Sequence, residues 1–189
     1  MCFFDRRVIL NGNPKRQTRR RKRQTAKRDR RIQLTGTARH SFARADHGSL
    51  YHGSLRKYFC GTATPVCKNL FLCNRQKTNF YLLLMPADKP FRTKEITSQL
   101  GCARLSFASE DAMEQLLQLT PGSATIFGLM HDTENRVQLL VDRDLLEEAT
   151  FGCHPCINTS TIRMQTGDVF DKLTTALHHP YTIVTLKGE

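Results

Sequence analysis

The arrangement of hydrophobic and polar positions divides the chain near Cys67, because regular patterns begin only there. Residues 69–73 and 79–85 are short apolar runs, and the polar residues 74–78 join them. Short apolar runs bounded by turn-forming residues are typical of buried strands. These segments therefore predict two buried strands connected by a polar turn.

Three later segments have the spacing and the end signals of helices. Each follows a residue that can cap a first turn: Thr93 before 94–100, Ser109 before 110–118, and Thr166 before 168–177. Gly101 is expected to end the first of these helices, and Pro121 with Gly122 to stop the second. Residues 145–148 predict a single additional helical turn.

The remaining apolar runs predict four more strands. Residues 125–130 and 136–141 flank a polar stretch and predict a hairpin, while 159–165 and 181–186 predict separate strands. Six strands interleaved with short helices favour an α+β domain built on a mixed β-sheet.

Residues 151–161 combine glycine, proline, histidine, two cysteines and several hydroxyl or amide side chains. One interpretation is half of a metal or redox site formed by Cys153, His154 and Cys156. The other is a polar pocket floor made by His154 and Asn158, with the cysteines as small apolar fillers. The local pattern leaves both interpretations open.

Charge is distributed very unevenly along the chain. Residues 1–60 contain 17 Lys and Arg against 3 Asp and Glu, whereas residues 61–189 contain 12 against 14. The strong net positive charge therefore belongs to the first third of the chain. We expect residues 1–60 to be a basic N-terminal extension: a disordered tail that binds nucleic acid, a solvated tail without function, or a segment outside the natural coding frame. Residues 61–189 are expected to form the folded domain.

Seven cysteines without a preceding signal peptide predict a reduced, cytoplasmic protein with mostly buried free thiols. The longest uninterrupted apolar run in the domain, residues 80–85, is too short to cross a bilayer. We therefore expect no association with membranes.

Five motifs in order give the chain a specific resemblance to a known family. They are Lys68-Asn69-Leu70-Phe71-Leu72, Arg104-Leu105-Ser106-Phe107-Ala108, Pro121-Gly122-Ser123, Gly128-Leu129 and Gly152-x-His154-Pro155-x-x-Asn158-Thr159. Over about residues 67–186 the chain resembles the prolyl-tRNA editing domain family, in its free-standing YbaK/ProX branch. The resemblance implies a curled mixed β-sheet with flanking short helices.

It also implies a function. Members of this family hydrolyse the ester of an amino acid wrongly attached to proline tRNA, and need no metal or other cofactor. The free-standing branch mostly removes alanine, and some relatives remove cysteine. The expected partner is mischarged proline tRNA, with prolyl-tRNA synthetase as a further candidate; the oligomeric state stays open.

The matching motif positions supply the expected site residues. By resemblance, Lys68 and His154 are the candidate catalytic residues. The candidate substrate-binding residues are Asn69, Arg104, Ser106, Gly122, Gly152 and Asn158. An aminoacyl ester is already activated, so the site has to position a water and stabilise an oxyanion rather than supply a nucleophile. A side-chain general base and attack assisted by the substrate's ribose hydroxyl are both compatible with these residues.

Two departures from the family pattern keep alternatives open. Many relatives have proline where this chain has Ile126, which bears on the size of the amino-acid pocket. Residues 1–60 also lack the helix and strand that usually precede the Lys68-Asn69 motif. Besides an alanyl-tRNA(Pro) deacylase, the alternatives are a cysteinyl-tRNA(Pro) deacylase, a non-catalytic RNA-binding module, and a metal-binding protein using Cys153, His154 and Cys156.

Overall fold

The computed structural model describes residues 43–46, 65–102 and 104–188. Its strands are β1 (Ala43–Asp46), β2 (Cys67–Cys73), β3 (Phe80–Pro86), β4 (Ser106–Phe107), β5 (Val137–Asp142), β6 (Thr150–Cys153), β7 (Ser160–Gln165) and β8 (Tyr181–Val184). Its α-helices are α1 (Thr93–Leu100), α2 (Glu110–Leu117), α3 (Arg143–Glu147) and α4 (Thr174–Leu177). A 3₁₀ helix covers Ile126–His131, and a π-helical segment, Asp168–Leu173, leads directly into α4.

The larger sheet has five strands in the order β4-β2-β3-β5-β8. The antiparallel β2–β3 hairpin is the first predicted strand pair, and the side chain of Asn74 closes its turn. The Asn74 Oδ1 atom accepts hydrogen bonds from the Thr78 and Asn79 amides at 2.9 and 3.1 Å. Strand β3 then pairs in parallel with β5, and β5 in parallel with β8, so the sheet is mixed.

The smaller sheet has three antiparallel strands in the order β1-β7-β6. A single parallel bridge between Val66 and Gly152 joins it to the larger sheet, beside the start of β2. The Gly152 amide donates to the Pro65 carbonyl at 2.9 Å on this bridge. The end of β6 is thereby fixed next to the start of β2.

Alternation along β2 and β3 separates two apolar clusters, one on each face of the larger sheet. Cys67, Phe71 and Cys73 point into the first cluster, together with residues of α2, the 3₁₀ helix and the π-helical segment. Leu72 and the half-buried Leu70 belong to the second, which packs against α1 and the end of the chain. Because both faces are covered, β3 is apolar at nearly every position and is buried from Phe80 to Met85.

The helix ends agree with the prediction in part. Ser109 caps α2 by accepting a hydrogen bond from the Ala112 amide at 3.3 Å, and Gly101 ends α1 in the left-handed conformation, as predicted. The capping role predicted for Thr93 is wrong, because Arg92 occupies the cap position without a side-chain bond. Thr166 is also no cap: its hydroxyl donates to the Glu148 carbonyl.

The hairpin predicted from residues 125–130 and 136–141 is wrong. The first segment forms the 3₁₀ helix Ile126–His131, and the second forms β5, which pairs with β3 and β8 instead. The buried Asp132 stabilises the turn between the two segments, since its carboxylate accepts hydrogen bonds from the Arg136 and Val137 amides. That bonded turn redirects the chain into the centre of the sheet.

The α+β class with a mixed sheet and short helices is confirmed. The division of the chain at residue 60 stays a prediction; β1 lies on the N-terminal side of that boundary and pairs with β7 from Ala43 to Asp46. Most of residues 1–60 lie outside the described residues. Within the described ranges, no helix is both long and apolar enough to cross a membrane.

Candidate functional site

The candidate site lies where the parallel strands of the larger sheet end. Strands β3, β5 and β8 all have their carboxyl ends at this edge, and the antiparallel β2 begins there with Lys68 opposite Met85. The edge also carries the bridge between Val66 and Gly152. In open mixed and parallel sheets, loops beyond the carboxyl ends of strands commonly form ligand sites.

The Lys68 ammonium group is held by the segment that follows β3. It donates hydrogen bonds to the Lys89 carbonyl and, at 3.4 Å, to the Ala87 carbonyl. Partial burial lowers the pKa of the Lys68 ammonium, and the neighbouring Asp88 carboxylate opposes that shift. Lys68 is therefore a partly desolvated cation whose direction is set by two main-chain oxygens.

His154 follows β6 directly and is buried, with 7% of its surface exposed. The two bridged residues, Val66 and Gly152, lie two residues before Lys68 and His154. The bridge therefore holds the start of β2, which carries Lys68, beside the end of β6, which His154 follows.

The hydrogen bond of His154 determines which ring nitrogen carries the proton. Its Nδ1 atom lies 3.0 Å from the Ser160 carbonyl oxygen, which can only accept a hydrogen bond. In the neutral ring Nδ1 is therefore protonated and Nε2 carries the lone pair. The contact also anchors the loop formed by residues 154–159 at both of its ends.

Gly122 and Asn158 bring a second loop to the same region. A methyl group placed on Gly122 would lie 3.6 Å from Asn158 Nδ2, so residues 119–125 and residues 154–159 are in contact there. Gly122 has φ +82°, a conformation that favours glycine. Gly152, in contrast, donates its amide to the Pro65 carbonyl, and its role in substrate binding stays a prediction.

Asn69 points away from Lys68, because consecutive residues of a strand face opposite sides of the sheet. Its amide nitrogen lies 3.4 Å from the Cys67 sulfur, and its Oδ1 atom is buried without a hydrogen-bond partner. The Cys153 thiol is close to both Cys67 and Thr125. Asn69 is therefore part of a buried group on the far face of β2.

Arg104 and Ser106 do not share this location, and their role in substrate binding stays a prediction. Strand β4 pairs with the last residues of β2, with Ser106 opposite Cys73. Five residues of strand separate Cys73 from Lys68, or about 17 Å. Both side chains are exposed at that far end of the strand.

The cysteines of the described residues are free, as predicted, and those nearest the site are poorly reactive. Burial raises the pKa of Cys67 to about 12 and that of Cys156 to about 11. Burial also raises the pKa of Cys153 well above its ordinary value. In the part of the chain that the structure describes, no three His, Cys, Asp or Glu side chains are grouped in a way that could hold a metal ion.

Sequence reasoning missed two residues at this edge, Lys89 and Asp142. The Lys89 ammonium lies 2.6 Å from Asp142 Oδ2, and Asp142 is completely buried. Lys89 follows a strand in a loop, where a lysine is ordinarily solvated. The one available signal was Asp142 itself, an acidic residue directly after an apolar run that carries no other charge.

Comparison with known proteins gives the same family as the motifs. The aminoacyl-tRNA editing domain model matches residues 54–172. The prolyl-tRNA editing protein ProX of Acetoanaerobium sticklandii is 31% identical over 104 residues, which cover 55% of this chain and 63% of that protein. The prolyl-tRNA synthetase associated domain-containing protein 1 of Danio rerio is 31% identical over 117 residues, which cover 61% of this chain and 63% of that protein.

The chain therefore spans somewhat less than two thirds of the length of these curated relatives. Among solved structures, the crystal structure of a proposed trans-editing enzyme for prolyl-tRNA synthetase superposes with a TM-score of 0.59 at 14% identity. That match covers 77% of this chain and 87% of the other, and it supports the fold. On the strength of the family match over residues 54–172, the chain belongs to the aminoacyl-tRNA editing domain family of YbaK/ProX type.

Proposed function

We propose that this protein is a trans-acting deacylase that hydrolyses alanyl-tRNA(Pro). The observation that carries the proposal is the bridge between Val66 and Gly152, which joins the two segments that lead into Lys68 and His154 on a chain of the editing-domain family. A curated relative is named as a prolyl-tRNA editing protein, which supports tRNA as the substrate class. Prolyl-tRNA synthetase is proposed as a functional partner on the same ground.

Lys68 is proposed to contact the 3′-terminal nucleotide. Its ammonium group already satisfies two carbonyls, so its position is fixed before the substrate arrives. A cation held in this way can bind a phosphate or a ribose oxygen with little further loss of side-chain entropy. Partial desolvation strengthens such a contact, because the effective dielectric constant is lower than in water.

His154 is proposed to act through Nε2. With Nδ1 donating to Ser160, the ring presents an acceptor at Nε2 that can orient the attacking water or a ribose hydroxyl. The Gly122 amide is the proposed donor to the oxyanion, since the Gly152 amide donates to Pro65 and the Ser123 amide donates to Thr120. Removing one such stabilising contact typically lowers the rate by about 10²–10³.

The selection of alanine is proposed to depend on the two contacting loops, residues 119–125 and 154–159. Ile126, which replaces the proline of many relatives, is fully buried in the first apolar cluster. It therefore anchors the end of the loop formed by residues 119–125 to the core. An editing pocket needs only to be too small for the cognate side chain. Steric exclusion of a larger side chain is readily achieved. A binding pocket discriminates poorly against a smaller substrate, because each missing methylene changes the binding free energy by only about 1–3 kcal/mol.

The test compares single-turnover deacylation of alanyl-, cysteinyl- and prolyl-tRNA(Pro) by the wild-type protein and by Lys68→Ala. We expect rapid loss of alanine, little loss of proline, and a rate about 10²–10³ lower in the variant. Faster loss of cysteine than of alanine would assign the protein to the alternative cysteinyl-tRNA(Pro) substrate. Tight tRNA binding without any deacylation would favour a non-catalytic RNA-binding module and refute the proposal.

A further inference from the structure

Lys89 forms a buried junction between three chain segments at the edge that carries the candidate site. Its Nζ atom lies 2.6 Å from Asp142 Oδ2, 2.6 Å from Asp144 Oδ2 and 2.7 Å from the Leu186 carbonyl oxygen. Its side chain is 11% exposed, and that of Asp142 is fully buried. The segment after β3 is thus tied to the end of β5 and to the residues that follow β8.

The main chain of the same residue holds Lys68. The Lys89 carbonyl accepts a hydrogen bond from the Lys68 ammonium, and the Ala87 carbonyl accepts a second at 3.4 Å. Lys89 therefore makes both contacts: its side chain is held by the buried Asp142 carboxylate, and its carbonyl holds the Lys68 ammonium. Any displacement of residues 87–89 moves both acceptors of Lys68 together.

Stability alone gives a poor account of this arrangement. A buried ion pair is often no more stabilising than a well-packed apolar pair of similar volume, because both charges must be desolvated. Burial disfavours the charged form of Lys89, although the hydrogen bonds to Asp142 and Asp144 outweigh it and raise the pKa of Lys89. The Asp142 Oδ1 atom also stays buried without a hydrogen-bond partner. Beyond what an apolar contact would provide, the ion pair fixes the direction of residues 87–89.

We propose that Lys89 and Asp142 are positioning residues, whose ion pair fixes residues 87–89 so that the Lys68 ammonium is held in its working position. The inference rests on the proposed function, because it assigns Lys68 a role in deacylation. It adds two residues that the site motifs do not include. Neither residue needs to touch the substrate.

The experiment uses the full-length protein with Lys89→Met and with the double substitution Lys89→Met and Asp142→Leu. The single substitution leaves Asp142 buried without a cation and is expected to be less stable. The double substitution removes both charges, so it restores much of the stability while the link to residues 87–89 stays absent. In both variants we expect the single-turnover rate for alanyl-tRNA(Pro) to fall about 10²-fold, as a displacement of about 1 Å can produce.

Asp132→Asn is the matched control. Asp132 is also a buried carboxylate, but it precedes β5, whereas Asp142 is the last residue of that strand. The strand from Val137 to Asp142 is about 17 Å long, so the two carboxylates lie towards opposite ends of it. It accepts the Arg136 and Val137 amides, so its loss lowers stability without reaching Lys68. We expect the folded control to keep its single-turnover rate.

A second readout does not depend on activity. The rate at which Lys68 is acetylated by a small amine-reactive reagent, followed by mass spectrometry, reports how firmly the ammonium group is held. We expect faster acetylation of Lys68 in both Lys89 variants and an unchanged rate in Asp132→Asn.

The outcomes separate the two proposals. If wild-type protein deacylates alanyl-tRNA(Pro) but the double variant keeps the wild-type rate and the wild-type acetylation of Lys68, the positioning role is wrong. It is also wrong if Asp132→Asn is slowed as much as the double variant. If wild-type protein has no deacylase activity, the proposed function fails, while faster acetylation in the Lys89 variants still supports the physical link to Lys68.

Discussion

Two substitutions at His154 distinguish a chemical role from a structural one. The side-chain nitrogen of asparagine can replace Nδ1, so His154→Asn retains a donor for the Ser160 carbonyl at 3.0 Å and loses the group at Nε2. Glutamine places its terminal amide near the position of Nε2, so His154→Gln loses the bond to Ser160 and retains a polar group on the other side. Each variant therefore removes one half of the imidazole.

The expected magnitudes differ in the two measurements. Leaving the buried Ser160 carbonyl without its donor costs about 1–3 kcal/mol, so His154→Gln should be clearly less stable than His154→Asn. Loss of a contact made at Nε2 in the transition state should lower the rate about 10²–10³-fold, or about 2.7–4 kcal/mol. We therefore expect His154→Asn to be the more stable variant and the less active one.

The assay combines urea unfolding with single-turnover deacylation of alanyl-tRNA(Pro) at a temperature where both variants are folded. Measuring the rate at saturating protein removes any effect of weaker tRNA binding. If His154→Asn were as active as wild type while His154→Gln was inactive, the histidine would serve only to anchor the loop at Ser160. The proposed role of Nε2 would then be refuted.

Three further predictions concern the rest of the chain. Deleting residues 1–42, which contain 14 Lys and Arg against 2 Asp, should flatten the salt dependence of tRNA binding and leave the melting temperature unchanged. Deleting residues 1–58 also removes β1 from the edge of β7, so this deletion should lower the melting temperature. Gly128→Ala should reduce the free energy of unfolding in urea by about 1–3 kcal/mol, because the added methyl would lie 2.6 Å from Leu119 Cδ1. The pKa of Cys67 is raised to about 12 from 9.0, so the thiol ionises first in the unfolded state and the free energy of unfolding should fall as the pH rises above 9. Urea unfolding at pH 8 and pH 10 should show a smaller fall in Cys67→Ala than in the wild-type protein.

The elements with strong local signals were predictable from sequence. The β2–β3 hairpin has uninterrupted apolar runs and a turn closed by its own Asn74, and α2 has a serine cap, so both follow from interactions between near neighbours. Residues 125–130 are equally apolar but form a 3₁₀ helix. Periodicity cannot separate a buried strand from a buried helical turn in so short a segment. The contacts that place residues 137–142 in the sheet are pairings with β3 and β8, which lie far away in the sequence, so no local pattern shows them.

The site was predictable only as far as its motifs. The resemblance identified Lys68 and His154 as the two candidates, and the bridge between Val66 and Gly152 joins the segments that lead into them. It could not show that Arg104 and Ser106 lie at the opposite end of β2, because that depends on the register between β4 and β2. Motifs show that the chain resembles a family. Whether two motif residues lie close together depends on how the strands that carry them are paired.

The position of the site follows from how the two sheets are joined. In the larger sheet, β2 runs against β3, so the lysine near its start lies at the edge where β3, β5 and β8 end. Main-chain carbonyls of the segment after β3 accept hydrogen bonds from the Lys68 ammonium at that edge, and the Asp88 carboxylate of the same segment favours its charged form. The bridge between Val66 and Gly152 holds the end of β6 beside the start of β2, and His154 follows β6 directly. Because Gly152 donates its amide to the Pro65 carbonyl, this glycine helps to hold the two sheets together at the end of the larger sheet where β2 begins.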